Sequence, residues 1–210
     1  MRDFYRLTRV LLCSGFFLLM QGNITAQGFD AGLIIGFNTS QISGDDLGGF
    51  DRISPNAGIF VKRQLKDKFS LQLEMTYLGK GSKANIGPDD PATAYYLLRT
   101  HYIEIPILFQ FQFSNKIIFE AGPSLGVYIG HKEEDINGEF VGVLKAREQF
   151  KRFDLSGNLG VIWKFNDKWA LNVRGSNSIL PVRNFDQQAS FRLTRGQLNK
   201  SIMGRVFYTF

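Results

Sequence analysis

The stretch "HYIEIPILFQFQF", residues 101–113, decides the fold. Six odd positions, Ile103, Ile105, Ile107, Phe109, Phe111 and Phe113, are large and apolar. The even positions, Tyr102, Glu104, Pro106, Leu108, Gln110 and Gln112, are mostly polar or conformationally special. A period of two marks a strand with two unlike faces. Pro106 cannot donate to a ladder, so a bulge is expected near it, one that helps a small barrel bend.

Three short polar turns bracket strands of the same kind: "LKDKF" at 65–69, "FSNKI" at 113–117 and "FNDKW" at 165–169. Their centres, Asp67, Asn115 and Asp167, recur at 48 and 52 residues, so units of two strands and one long connection repeat. Eight strands result: Phe29–Thr39, Ile53–Leu65, Phe69–Lys80, His101–Phe113, Ile117–Gly130, Phe153–Phe165, Trp169–Asn177 and Asn199–Phe210. The other connections, 40–52, 81–95, 131–152 and 178–198, are long and polar. The chain has 20 Phe and 22 Gly but 6 Pro, which suits an all-β protein with tight turns. An even number of strands, short turns at one end and long loops at the other lay out an antiparallel up-and-down transmembrane β-barrel. A soluble eight-stranded barrel is the alternative.

Volume separates the two. Eight strands enclose a lumen that side chains just fill. One face carries Leu33, Ile35, Phe37, Ile59, Leu73, Met75, Phe119, Leu159 and Trp163 beside the Ile and Phe series of 103–113. Those groups would overfill such a lumen. The opposite face carries Gly32, Gly36, Gly58, Gly122, Gly126 and Gly160 with Ser70, Ser124, Ser156 and Asn158. The bulky face therefore points outward, into lipid, and a closed barrel leaves no unpaired backbone there. Tyr77, Trp163, Trp169 and Tyr208 fit interfacial girdles.

The same register turns a set of charges inward: Asp30, Glu74, Glu104, Glu120 and Asp154 against Lys62, Lys164, Arg174 and Arg205. Buried charges persist when paired and hydrogen-bonded. A salt-bridged plug across the lumen is expected, not an open pore.

Residues 1–26 read as a leader outside the fold: Arg2, Arg6 and Arg9, an apolar run from Val10 to Met20, then small residues ending at Ala26. Eleven residues are too few to cross ~30 Å of hydrocarbon. Cleavage after Ala26 is expected, leaving 27–210 as the barrel domain. Leu11 and Leu12 before Cys13 do not fit a lipidation signal, and the exported chain then has no cysteine for disulfide or thiolate chemistry. Of the net charge of +6, the leader holds +2 (three Arg, one Asp), leaving a mild +4. Cations are scattered among acids, so no nucleic-acid partner is expected.

The motifs Tyr102-Ile103-Glu104-Ile105-Pro106 and Glu120-Ala121-Gly122-Pro123, with "FDLSGNLGVIWKF" at 153–165 and an aromatic terminus, resemble the PorT-like outer-membrane β-barrel proteins of Gram-negative bacteria. The likeness spans nearly the whole chain after the leader. It implies an eight-stranded barrel in the outer membrane, with periplasmic turns and extracellular loops. The name-giving member serves in a protein-secretion system, so subunits of such a complex are partners the resemblance implies. Val206, Tyr208 and Phe210 alternate to the end and resemble the signal read by the barrel-assembly machinery, bound by edge augmentation.

An enzyme is not expected. A hydrolytic triad needs a base oriented by an acid, and His101 and His131 stand at no enforcing spacing from Ser82 or Ser124. The acidic pairs "GDD" (44–46) and "PDD" (88–90) read as solvated loop tips, so neither metal nor cofactor is expected. Arg183, Arg192, Arg195, Lys132, Lys145, Arg147, Lys151 and Arg152 lie in two long loops; they read first as part of solvated mixed-charge loops and, as the alternative, as cations that pair with lipopolysaccharide phosphates. The expected role is a monomer embedded in outer-membrane lipid, structural or adhesive through its loops. An accessory subunit of a secretion or envelope complex is the rival, and a lipid-active enzyme comes third.

Overall fold

The computed structural model describes residues 28–43, 49–83, 96–135, 138–139, 150–183 and 196–210. The leader 1–26 and the acidic pairs at 45–46 and 89–90 lie outside the described residues. Eight long strands are present: β1 (Phe29–Ser43), β2 (Arg52–Lys66), β3 (Phe69–Lys83), β4 (Tyr96–Gln112), β5 (Ile117–Asp135), β7 (Phe153–Lys164), β8 (Trp169–Ser178) and β9 (Leu198–Thr209). The two-residue β6 (Gly138–Glu139) pairs onto the end of β5. The ladder runs β4-β3-β2-β1-β9-β8-β7-β5, and pairing of β4 with β5 closes it. All neighbours are antiparallel, so each long strand has a partner on both sides.

The short turns hold by side-chain chemistry that the sequence displays. Asn166 Oδ1 accepts from the Lys168 and Trp169 amides at 2.9 and 2.8 Å, and Ser114 Oγ accepts from Ile117 N at 3.1 Å. Both reproduce a turn that Asn and Ser favour. Strand boundaries at this end fall within a residue of expectation. At the other end the strands are longer: β1 runs on to Ser43, β3 to Lys83, β5 to Asp135, and β4 begins at Tyr96. Pairing there continues past the strict alternation: β4 adds the adjacent apolar pair Leu97 and Leu98, and β5 adds the polar run from His131 to Asp135.

The two faces are as expected. Leu159 is 71 % exposed and Ile35 67 %, against 0 % for Ser156 and Asn172. The exposed bulky side chains form a belt around the wall. Its short-turn edge is aromatic, with Trp163 against Phe165 and Trp169 against Tyr208, ring centroids 5.1 and 4.8 Å apart.

Pro106 carries a correction. No extra residue is inserted there. The β3–β4 pairing passes from Leu73–Ile107 to Thr76–Glu104, and β4–β5 from Pro106–Ser124 to Phe109–Ala121, with the register unchanged across each gap. The missing N–H is absorbed as a local break in the ladder. The bulge that does involve β4 lies five residues earlier: His101 pairs with Gly130 but Tyr102 with Tyr128. Ile129 is the extra residue, and it reverses the facing of β5 beyond it.

Beside the broken ladder stands Gly122. A Cβ there would run into the carbonyl oxygen of Ile107, a backbone atom that cannot swing aside. Gly58 stands in the same relation to the Met75 carbonyl and Gly36 to that of Gly204. Close approach of strands, more than spare volume, therefore places these glycines. Gly122→Val is expected to lower stability by about 1–3 kcal/mol or more, read as a lower urea midpoint for the gel-mobility shift between folded and boiled protein.

Candidate functional site: a lumen bridged by two ionic clusters

Four strands send charged groups to the middle of the lumen: Glu74 from β3, Glu120 from β5, Arg174 from β8 and Arg205 from β9. Arg174 grips Glu74 with both terminal nitrogens, at 2.9 and 2.7 Å, and reaches Glu120 through Nε at 2.7 Å. Arg205 Nη1 lies 3.0 Å from Glu74 Oε2, and its Nη2 lies 3.9 Å from Glu120. Its Nε donates to Asn172 Oδ1 at 3.0 Å, while Asn172 Nδ2 donates to Glu120 at 2.8 Å. Gln72 donates to Glu74 and accepts from Gln110, at 2.7 and 2.9 Å. Two cations and two carboxylates balance. The bidentate grip is the strong geometry for a guanidinium and a carboxylate.

A second cluster lies nearer the loops. Lys80 of β3 bonds Glu104 of β4 and Asp154 of β7, the latter at 2.9 Å. Asp154 also accepts from Ser156, Ser178 and Asn199 at 3.2, 2.6 and 3.0 Å. Lys80 sits over the Tyr102 ring, 5.2 Å from its centroid. The seven ionic side chains of the two clusters are at most 2 % exposed. Lone charges at this depth would be prohibitive; shared partners make them tenable.

Apolar layers seal both ends. Ile34, Phe60, Ile118, Ile162 and Phe207 pack together on the short-turn side. Ile42, Leu98, Phe150 and Val182 do so on the loop side, against Tyr128. Leu78, Leu108 and Met203 are also buried. The described side chains thus span the lumen from wall to wall.

Of the nine charges expected to form one network, six meet here. Asp30, Lys62 and Lys164 do not. They line a cup at the short-turn mouth that reaches past Phe60 and Phe207 to Gln72 and Gln110 at the edge of the plug, but they make no ion pair with it. Lys62 pairs with Asp30 at 3.2 Å, with Asp30 more than half exposed. Their inward parity holds, but near a strand end it leads to open water. Lys80 is the member that the expected set lacks, although its parity with Glu74 and Thr76 is a signal that marks it. The interior is also less uniformly small and polar than expected, since Phe60, Phe207 and Tyr102 point inward.

The other candidates disperse. His101 bonds Tyr77 Oη through Nδ1 at 2.7 Å on the outer wall. His131 bonds Tyr128 at the loop-side mouth. Ser124 accepts from Asn158 at 2.9 Å, and Ser82 is buried elsewhere. Arg183 is a correction: it is 5 % exposed and lies over the Phe150 ring, 4.8 Å away, so it supports the seal and presents no surface cation. Lys151 and Arg152 are exposed. Arg192, Arg195, Lys145 and Arg147 lie outside the described residues.

A family model described as outer membrane protein β-barrel domain matches residues 22–183. No curated protein matches the chain by sequence. Among solved structures the fold is similar to Ail, the attachment invasion locus protein of Yersinia pestis, at TM-score 0.50 and 8 % identity, over 87 % of this chain and 99 % of that one. It is also similar to Neisserial surface protein A, at 0.47 and 10 %, over 88 % and 98 %. Outer membrane protein OprG from Pseudomonas aeruginosa matches at 0.42 and 12 %, over 87 % and 96 %. At these identities the likeness is one of fold.

Proposed function

The chain belongs to the outer membrane protein β-barrel domain family, and from that premise we propose a non-conducting, non-catalytic monomer that works through its extracellular loops. One observation carries this: the two ionic clusters bridge the lumen, leaving the outer surface as the part open to partners. The finer assignments go with it. The chain is a PorT-like member, exported to a Gram-negative outer membrane by a leader cleaved after Ala26. Val206, Tyr208 and Phe210 present the edge that the assembly machinery takes up. Lipid and lipopolysaccharide surround the wall. A non-catalytic role is supported by the dispersal of His101, His131 and the candidate serines. The rival, an accessory subunit of a secretion or envelope complex, keeps its support from the resemblance alone.

Two measurements test the reading. Reconstituted in planar bilayers, the protein is expected to pass no steady ion current; a stable open level would overturn the non-conducting role. Affinity purification from detergent-extracted outer membranes is expected to return the barrel alone. A stoichiometric envelope protein in the eluate would favour the rival.

A further inference from the structure

Above the apolar belt, the outer wall formed by β2 to β5 changes character. β3 leaves β2 after the Asn56–Leu78 pair, and its last residues pair with β4. Arg52 lies across the gap. Its Nε donates to the Lys80 carbonyl at 3.4 Å, and its side chain covers two glycines. A Cβ on Gly79 would sit 3.6 Å from Arg52 Nη2, and one on Gly81 3.1 Å from Arg52 Nε. Across the next seam Gly81 pairs with Arg99 and Gly79 with His101. Strands lie about 5 Å apart, so Arg52 comes beside both, and the charges of Arg52 and Arg99 act on one another.

The bulge at Ile129 adds a third cation. By reversing the facing of β5, it sets Lys132 opposite Arg99. Glu134 is shared between them, 3.2 Å from Arg99 and 3.0 Å from Lys132. Among the described residues, the hydrogen-bond partner of Arg52 is a backbone carbonyl, not a carboxylate. Glu134 is, among the described residues, the carboxylate that Arg99 and Lys132 share. Beside them stand Tyr77, stacked on His101, and the exposed bulge residue Ile129.

Two neighbouring guanidiniums, set where apolar wall gives way to polar, match an amphipathic anion. A guanidinium fork suits phosphate oxygens. The aromatic and isoleucine surface beside them suits acyl chains. We propose that this face of the barrel binds a phosphorylated glycolipid of the outer leaflet, its phosphate between Arg52 and Arg99 and its chains along Tyr77 and Ile129. The inference rests on the outer-membrane reading above and gives that surface a lipid partner at a defined place.

The test uses the whole barrel in phosphatidylcholine nanodiscs, with bisphosphoryl lipid A, its dephosphorylated counterpart and inorganic phosphate as probes. Retention is read by native mass spectrometry. The phosphorylated lipid is expected to bind about tenfold more tightly than the dephosphorylated one. R52A/R99A is expected to erase that difference, whereas E134Q, which removes the carboxylate beside Arg99, strengthens it. Lys168→Ala, at the opposite end, leaves it unchanged. Each variant is scored only when its heat-dependent gel shift matches the parent. Equal retention of the two lipids, an unaffected R52A/R99A or a weakened E134Q would overturn the proposal. Displacement by millimolar inorganic phosphate alone would overturn the lipid assignment in favour of a free-anion site. Density fractionation of cell envelopes reads outer-membrane placement separately. A barrel that fractionates there yet ignores the phosphate sinks the site and leaves the placement standing.

Discussion

Lys80→Met is expected to be among the most damaging single changes in this barrel. Lys80 is the cation between Glu104 and Asp154, and all three are buried. Methionine keeps much of the volume and removes the charge, leaving two carboxylates to face each other. Breaking a buried pair from one side costs roughly 3–5 kcal/mol, and here one side chain serves two partners. The measurement is the urea midpoint of folding in lipid vesicles, read by the gel shift. The triple variant Lys80→Met, Glu104→Gln, Asp154→Asn is expected to recover most of the loss, because neutral amides need no counter-charge. A Lys80→Met barrel as stable as the parent would show that the loop-side cluster is hydrated and that its charges are not coupled.

Arg174→Met should cost a similar roughly 3–5 kcal/mol, and its rescue pattern follows from the distances. Without Arg174, Glu74 keeps Arg205 at 3.0 Å, while Glu120 keeps it only at 3.9 Å. Glu120 is then the stranded carboxylate. Adding Glu120→Gln should therefore restore more stability than adding Glu74→Gln, which would remove the better of the two remaining contacts. Equal rescue by the two glutamines would mean that Arg205 moves to share itself between them.

Much of the barrel is legible in its residues alone. The alternation in 101–113 and the Asn and Ser turns depend on local chemistry, which a sequence displays directly. The contrast between a bulky face and a small one sets the direction of the wall, because an eight-stranded lumen cannot hold the bulky set. Charge is harder to read. Parity identifies which side a residue faces but not how deep it lies, so it groups Asp30, Lys62 and Lys164 with residues a full layer away. Lys80 hides between Gly79 and Gly81, where a strand looks finished. Balance points to it: once the three mouth residues are set aside, four carboxylates face two arginines, so the set is short of cations. Pro106 shows the opposite limit. Its missing donor is certain from the sequence, but whether the wall inserts a residue or drops its bonds depends on the strands on either side. Gly122, close against Ile107, lets it drop them.

The pairing of Glu74 with Arg205 joins residues 131 positions apart, and that with Arg174 joins residues 100 apart. No hairpin, and no run of neighbouring hairpins short of the ring, brings these groups together. While the chain inserts, they must stay hydrated, because none can shed water before its distant partner arrives. Drying of the mid-lumen is thus tied to closure of the ring, and the cluster of Glu74, Arg174 and Arg205 acts as a clasp that fastens once the ring is complete, whereas Lys80 and Glu104 sit on neighbouring strands. A half-built barrel is wet inside and weak; a finished one has no easy first strand to lose.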